Sequence, residues 1–204
     1  MIARAIRVLP AMWAKMNTPA HLILGLAAFG KPGDRRVTGA ALAGALMPDL
    51  SLYVLAGGAL AIGIPAGRVF DELYFSETWQ TIFAIDNSIF VWGAVLGLGL
   101  WLKKAWIVAL GGAALLHLAT DFPLHNDDGR PHFWPLTDWI FASPFSYWDT
   151  NHHAGWIAPT EVVLVLGVAI WCWVRFPTLV TRLLLASLAL AQLSVGGVWA
   201  YVFS

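Results

Sequence analysis

Two ionisable residues, His117 and Asp121, lie four positions apart near the end of a long apolar run that begins at Ala105. A spacing of four places both side chains on the same face of a helix. Ionisable groups inside an apolar membrane segment are costly, so they usually face a partner, a cavity or a metal. An imidazole and a carboxylate in this arrangement can supply two metal ligands, or one ligand and the group that orients it. The alternative is a buried His–Asp pair that only joins two helices.

Further candidate ligands surround this pair in the sequence. His125 and His132 follow it directly, His21 begins the first apolar segment, and Asp49 follows Pro48 inside the second. Pro48 frees a backbone carbonyl and bends the helix, which opens a polar niche. A buried carboxylate without a partner is costly, which favours a functional role for Asp49. One of the adjacent histidines His152 and His153 is a further candidate. The predicted metal ligands are His21, Asp49, His117, Asp121, His125, His132 and His153.

More polar residues stand at the starts of later segments. His152 and His153 precede the fifth segment, and we choose His153 as the candidate ligand of the two. Glu161 is a ligand, a general base or a carboxylate favoured by the helix dipole. Asp86 near the third segment is a base, a ligand or an N-cap. Glu161 and Asp86 are therefore the candidate catalytic residues.

The type of metal follows from the donor atoms. Histidine and carboxylate ligands without cysteine suit zinc first, with manganese or iron as alternatives, and a set of more than four permits two ions. The single cysteine, Cys172, excludes a Cys-based zinc site and an intramolecular disulfide. Asp127 and Asp128 precede Gly129 and are interpreted as turn residues, with ligation as the alternative. The sequence contains no Gly-x-Ser-x-Gly motif and no P-loop.

The composition indicates a membrane protein. Of 204 residues, 59% are apolar and 12% are charged, and the mean hydropathy is +0.69. A soluble domain carries about 25% charged residues. Many of the twelve tryptophans flank the apolar runs, as in an interfacial aromatic belt. The formal net charge is zero, so we predict a lipid bilayer and no nucleic acid as partner.

The hydropathy pattern predicts an all-α integral membrane protein, a single domain over residues 1–204. We predict about six helices, five long and one short, over residues 19–30, 37–64, 80–102, 105–122, 158–176 and 178–203. A long polar loop over residues 123–157 separates the fourth and fifth. The first segment is too short to cross a bilayer, which needs about 20 residues. The basic stretch before residue 18 is interpreted as an interfacial or disordered lead-in and not as a signal peptide.

The charges predict an orientation. If all six segments cross, one side holds Asp34 and seven basic residues, namely Lys31, Arg35, Arg36, Lys103, Lys104, Arg175 and Arg182. The other acids and every histidine then lie on or towards the opposite side. By the positive-inside rule the basic side is cytoplasmic. The clustering of the histidines predicts one polar site on the outer face. The basic residues before residue 18 count against this orientation.

Four motifs together resemble a known family. They are Thr18-Pro19-Ala20-His21, Met47-Pro48-Asp49, His117-Leu118-Ala119-Thr120-Asp121 and Phe133-Trp134-Pro135-Leu136. Over the part of the chain before residue 137, this pattern resembles the bacterial membrane-bound metal-dependent hydrolases typified by YdjM-like inner-membrane proteins. Its order of ligands is also similar to that of zinc-dependent phospholipase C and the S1/P1 nucleases. Those are all-helical enzymes that hydrolyse phosphodiesters at a trinuclear zinc site.

The resemblance implies a metal-dependent hydrolase of the bacterial inner membrane that holds one to three divalent ions. It implies His21, Asp49, His117 and Asp121 as ligands. Much of the family has a histidine-rich stretch where this chain reads Ile85-Asp86-Asn87-Ser88, so Asp86 substitutes there or one metal position is lost.

Two classes of function are therefore open. The first is an enzyme that hydrolyses a phosphoester or a lipid-linked, amphiphilic substrate at the outer, periplasmic face, with Glu161 or Asp86 as general base. The second is a membrane protein without catalysis: a metal binder, a haem binder that uses His21 and His117, or a small permease. A haem protein would show a Soret band, whereas a permease needs polar groups along a path through the bilayer.

Overall fold

The computed structural model describes residues 18–202, with side chains described as far as residue 194. The predicted basic lead-in therefore lies outside the described residues. The longer helices of residues 18–202 are α1 (Thr18–Phe29), α2 (Arg35–Ala61), α3 (Glu77–Asp86), α4 (Ile89–Trp101), α5 (Ala105–Asp121), α6 (Ala154–Arg175) and α7 (Leu179–Val202). This range contains no strand, and the all-α prediction is confirmed. Shorter helical turns occupy Ala66–Arg68, Val69–Leu73, Phe122–Leu124 and Thr150–His152.

Four helical stretches are long and apolar enough to cross a membrane: Arg35–Ala61, Glu77–Trp101, Ala105–Leu124 and Ala154–Arg175. They make the chain an all-α membrane bundle. Helix α1 has 12 residues and a length of about 18 Å at 1.5 Å per residue, well short of a hydrocarbon layer of about 30 Å. The first segment is therefore short, as its sequence predicts.

The predicted third helix is wrong in one respect, because it is broken at residues Asn87 and Ser88. The amide Nδ2 of Asn87 donates to the carbonyl of Phe83 at 2.9 Å, which ends α3. The Ser88 hydroxyl accepts from the backbone N–H groups of Phe90 and Val91, which begins α4. These side-chain hydrogen bonds replace helical ones and stop the helix. Ser88, and not the neighbouring aspartate, is the N-cap at this helix break.

The long loop between α5 and α6 folds back onto this helix break. The backbone N–H of Ile89 donates to the carbonyl of His132 at 3.0 Å, and the Ser88 hydroxyl donates to the carbonyl of Trp134 at 2.6 Å. Irregular backbone at membrane depth is tolerated where protein buries it and satisfies its hydrogen bonds. The loop and the break therefore form one polar unit within the bundle.

Small residues allow α1, α2 and α5 to approach closely. A Cβ atom on Gly44 of α2 would collide with the backbone carbonyl of Leu110 on α5, and one on Gly25 of α1 would lie 2.6 Å from Ala45 Cβ of α2. Membrane helices commonly pack through such residues. On the other side of α1, helices α6 and α7 bury an apolar cluster that includes Cys172. Close packing of α1, α2 and α5 brings their polar residues together.

Candidate metal centre

Helices α1 and α5 bring two histidines to one carboxylate. His21 Nε2 lies 3.0 Å from Asp121 Oδ1, and His117 Nε2 lies 3.2 Å from Asp121 Oδ2. The two histidines are 2% and 1% exposed. One ligand atom from each of the three residues lies within 4.8 Å of the others. This buried group could hold a metal ion, because imidazole nitrogen and carboxylate oxygen are common ligands of divalent metals.

The proton on His117 is fixed by its other ring nitrogen. His117 Nδ1 lies 2.7 Å from the backbone carbonyl of Ala45 on α2. A carbonyl only accepts, so Nδ1 carries a hydrogen, and in the neutral ring Nε2 presents its lone pair to Asp121. Histidines that bind metals usually have their second nitrogen held in this way.

The same reasoning applies to His21. Its Nδ1 lies 3.3 Å from the hydroxyl of Thr120, and that hydroxyl donates to the carbonyls of Leu116 and His117 at 3.0 and 2.9 Å. A threonine hydroxyl has one hydrogen, so towards His21 it acts as an acceptor. Nδ1 of His21 therefore donates, and in the neutral ring its Nε2 also turns a lone pair towards Asp121.

The rings of His21 and His117 are stacked, with centroids 3.5 Å apart and an interplanar angle of 10°. Two imidazolium cations at this separation repel strongly, so at most one of the rings is charged. The stacking also leaves no space for a porphyrin between the rings. The haem arrangement considered for these two residues is therefore not compatible with this geometry.

Asp49 completes the cluster from α2. Its Oδ1 lies 3.8 Å from His117 Nε2, and its Oδ2 accepts a hydrogen bond of 2.6 Å from the hydroxyl of Thr18, the first residue of α1. The Thr18 hydroxyl is also 2.6 Å from that of Tyr53. Asp49 is thus oriented by neighbours on α1 and α2, next to the two histidines.

The loop after α5 adds His125, whose two ring nitrogens both face carboxylates. Nε2 lies 3.4 Å from Asp121 Oδ1, and Nδ1 lies 2.9 Å from Asp128 Oδ2. Burial opposes protonation of His125, but Asp121 and Asp128 outweigh it and raise its pKa to about 10. Asp128, interpreted from sequence as a turn residue, is thus a partner of the cluster. The spacing His-x-x-Asp was the available signal.

His132 lies in the long loop, where it contacts the helix break and faces the pocket beside the cluster. Its Nδ1 lies 3.0 Å from the carbonyl of Asn87, and the residue is 6% exposed. Burial lowers the pKa of His132 and outweighs the hydrogen bond to that carbonyl, so the ring is held in the neutral form that binds metals. His132 lines a pocket together with Asp49, Asp121 and His125.

Three predicted site residues neither belong to the group of possible metal ligands nor line its pocket. His153 is exposed in a left-handed conformation at the start of α6, with its ring 5.6 Å from that of Phe145. Glu161 on α6 accepts a hydrogen bond of 3.0 Å from Gln192 on α7. Asp86, at the end of α3, faces α2 and does not line the pocket. His153 was proposed from proximity in sequence, and the turn before α6 directs it outwards.

Two residues that the sequence did not single out also belong to the site. Tyr147 in the long loop is buried, its ring lies 5.5 Å from that of His125, and its hydroxyl has no hydrogen-bond partner. Burial, followed by the charges of Asp128 and Asp121, raises the pKa of Tyr147 well above its usual value. Arg130 lines the pocket beside the cluster. Their position depends on how the loop folds, which no local pattern indicates.

Comparison with known proteins gives no match to this chain among protein-family models, curated proteins or solved structures. The function is therefore argued from the residues of the site.

Proposed function

We propose that this chain is a membrane-embedded metal-dependent hydrolase that acts on a phosphoester or a lipid-linked, amphiphilic substrate. The proposed metal is divalent, with zinc as the first choice and manganese or iron as alternatives. Its ligands are His21, His117 and Asp121. Asp49, His125 and His132 line the adjoining pocket and are the candidates to complete the site or to hold a second or third ion.

One observation carries the metal in this proposal: the Nε2 atoms of two stacked imidazoles face the same buried carboxylate, while both Nδ1 atoms already face other acceptors. His21 Nε2, His117 Nε2 and Asp121 Oδ1 have no hydrogen-bond partner with acceptable geometry. Facing acceptors at 3.0 and 3.2 Å repel unless a cation lies between them. Protonating one ring would pair it with Asp121 but leave the other Nε2 facing a carboxylate oxygen, and protonating both would stack two cations. A single metal cation shared by all three groups satisfies every one of these atoms.

The hydrolase part of the proposal rests on the pocket beside the cluster. A divalent ion bound at the cluster supplies Lewis-acid activation of water and of a phosphoryl or acyl oxygen. Asp49 and Asp128 line the pocket, whereas Glu161 and Asp86 do not. Asp49 or Asp128 is therefore better placed than Glu161 or Asp86 to accept a proton from an attacking water.

The membrane location supports an amphiphilic substrate. The ligands belong to α2 and α5, two of the helices able to cross a membrane, and to the first turn of α1. The basic residues Lys31, Lys103 and Lys104 follow the far ends of α1 and α4. By the positive-inside rule this end is cytoplasmic, so we propose that the site faces the periplasm of a bacterial inner membrane.

The first test is the metal content of protein purified in mild detergent without a chelator or a His-tag. We expect at least one zinc, manganese or iron ion per chain in the wild type by mass spectrometry, and loss of that metal in His117→Ala and Asp121→Asn. His153→Ala is the matched control, since this exposed histidine lies outside the cluster. A wild type that takes up no metal after reconstitution would refute the proposal.

The second test is hydrolysis by the metal-loaded protein. Bis(p-nitrophenyl) phosphate and phospholipid in mixed micelles are suitable substrates, with the same two cluster variants as controls. Activity that disappears together with the metal supports the hydrolase. Stoichiometric metal without hydrolysis of phosphoesters or carboxylic esters would instead assign the chain to the class of non-catalytic metal-binding membrane proteins.

A further inference from the structure

A single arginine lines the pocket beside the metal cluster. The other polar lining groups are Asp49, Asn87, Asp121, Asp128 and the histidines. Three carboxylates in one pocket repel an anionic ligand, so cations must offset their charge before an oxyanion binds there. The guanidinium of Arg130 is the one permanently charged cation among the lining residues.

Arg130 is held in place by aromatic neighbours on one side. Its Nη2 donates to the Tyr74 hydroxyl at 2.8 Å, and its guanidinium carbon lies 4.6 Å from the ring centre of Phe83 and 5.4 Å from that of Tyr74. Stacking on rings is a favourable use of the planar guanidinium. Because the group is already ordered, it loses little side-chain entropy when it binds a further ligand. The structure therefore presents a fixed cation to the pocket.

The shape of this cation selects a class of ligand. A guanidinium offers parallel N–H donors whose spacing matches two oxygens of a phosphate or a carboxylate. A neutral acyl ester offers no such pair of charged oxygens. Arg130 lines the same small pocket as Asp121, one of the proposed metal ligands, so one oxyanion at that pocket would meet both the guanidinium and the metal.

We propose that Arg130 is the specificity-determining residue of this site and binds the oxyanion of a phosphoester. This inference rests on the proposed function for the presence of a reacting group at the metal. It deepens that function by selecting phosphoesters over neutral acyl esters. The shared chemistry is a phosphate group, which a lipid headgroup or free phosphate can supply.

The test measures phosphate affinity in the full-length, metal-treated protein in detergent. Inorganic phosphate is titrated by equilibrium dialysis against the wild type, Arg130→Lys and Arg130→Gln. Because Arg130→Gln removes charge-assisted hydrogen bonds to the anion, we expect it to weaken phosphate binding about 10- to 100-fold. Arg130→Lys keeps the charge but loses the paired donors, and we expect an intermediate value. Phosphatidic acid in mixed micelles, compared with diacylglycerol micelles, shows whether a lipid headgroup binds more tightly than free phosphate.

Arg182→Gln is the matched control. Its guanidinium also stacks on an aromatic ring, 5.5 Å from the centre of Trp173, but it does not line the pocket. We expect phosphate affinity to stay at the wild-type value in this variant. If Arg130→Gln does not fold, Tyr74→Phe removes the anchoring hydroxyl and leaves the arginine in place. We expect that variant to weaken phosphate binding about threefold or more, as for the loss of one ordinary hydrogen bond.

Two results would overturn the assignment. One is equal phosphate affinity in the wild type and in Arg130→Gln, or in Tyr74→Phe if the first variant does not fold. The other is loss of the metal from Arg130→Gln, which would make the arginine a structural residue of the cluster. Metal content decides the proposed function and phosphate affinity decides the role of Arg130, so the two can fail separately. The protein is also tested with bis(p-nitrophenyl) phosphate and with p-nitrophenyl acetate, a neutral acyl ester. If it hydrolyses both, Arg130→Gln should raise KM for the phosphate diester and leave KM for the acetate unchanged.

Discussion

Replacing Asp121 with asparagine removes the one charge that three histidines share and keeps the size of the side chain. His21, His117 and His125 lie 3.0, 3.2 and 3.4 Å from its two oxygens. Zinc sites in small peptides bind with apparent free energies of about 10–16 kcal/mol. If this free energy is divided equally among Asp121 and its three histidines, the loss of the Asp121 carboxylate weakens zinc binding by about 2.5–4 kcal/mol. The dissociation constant of zinc should therefore rise about 10²- to 10³-fold in Asp121→Asn.

The assay is competition for zinc with a fluorescent chelator, on wild type and variant in the same detergent. Asp149→Asn is the matched control, because that carboxylate also bonds to a histidine, His152 at 2.6 Å, but outside the cluster. We expect the control to bind zinc like the wild type. Thermal unfolding with and without zinc gives a second readout, since a ligand that binds only the folded state stabilises it in proportion to its affinity.

A change of less than about threefold in the zinc dissociation constant of Asp121→Asn would refute the metal assignment. The cluster would then be a His–Asp network that joins α1, α5 and the loop. A network of this kind predicts a different result in the thermal unfolding of Asp121→Asn. Breaking a buried pair by removing one partner costs about 3–5 kcal/mol, and the loss of stability would be the same with and without zinc.

Three further predictions concern packing, the loop tyrosine and acid stability. Gly44→Ala should destabilise the fold by about 1–3 kcal/mol in thermal unfolding, because the added Cβ meets the α5 backbone, whereas Gly39→Ala in open space on the same helix should be neutral or stabilising. Tyr147→Phe removes a buried hydroxyl without a partner, so stability should be unchanged or higher; a loss of more than 1 kcal/mol would mean that the hydroxyl binds a group in the folded protein. The hydrogen bond from His152 lowers the pKa of Asp149, so this pair stabilises the fold above the usual pKa of an aspartate and loses its effect as the pH falls through the lowered pKa. Asp149→Asn should therefore reduce the difference in melting temperature between pH 5 and pH 3, and an unchanged difference would contradict the role of the pair.

The helices and the centre of the site could be predicted because their signals are local. Hydropathy identifies long apolar runs, and a spacing of four fixes His117 and Asp121 on one face. Pro48 marked the niche beside Asp49, where the carbonyl of Ala45, one turn earlier on α2, accepts from His117. In each of these cases a short stretch of chain carries both the structural and the chemical information.

The helix break and the loop residues could not be predicted with the same success, because tertiary contacts decide them. Asn87 and Ser88 are competent caps, but inside a 25-residue apolar stretch they also fit an unbroken helix. The break is stabilised by hydrogen bonds to His132 and Trp134, more than 40 positions away. The exposure of His153 depends on tertiary structure for a related reason, since only the folded turn shows which of two adjacent histidines faces outwards.

The hydrogen bonds between the helix break and the long loop have a consequence for biogenesis. Until residues 132–134 have been synthesised, the N–H of Ile89 lacks its acceptor and Ser88 lacks one of its partners. Unpaired backbone groups are expensive in hydrocarbon. The Glu77–Trp101 stretch therefore lacks these partners when it first leaves the ribosome, and we expect it to reach its final arrangement only after the long loop has been synthesised and has folded back. Ribosome-bound chains arrested just before and just after this loop should differ in how accessible residues near Ser88 are to water-soluble reagents.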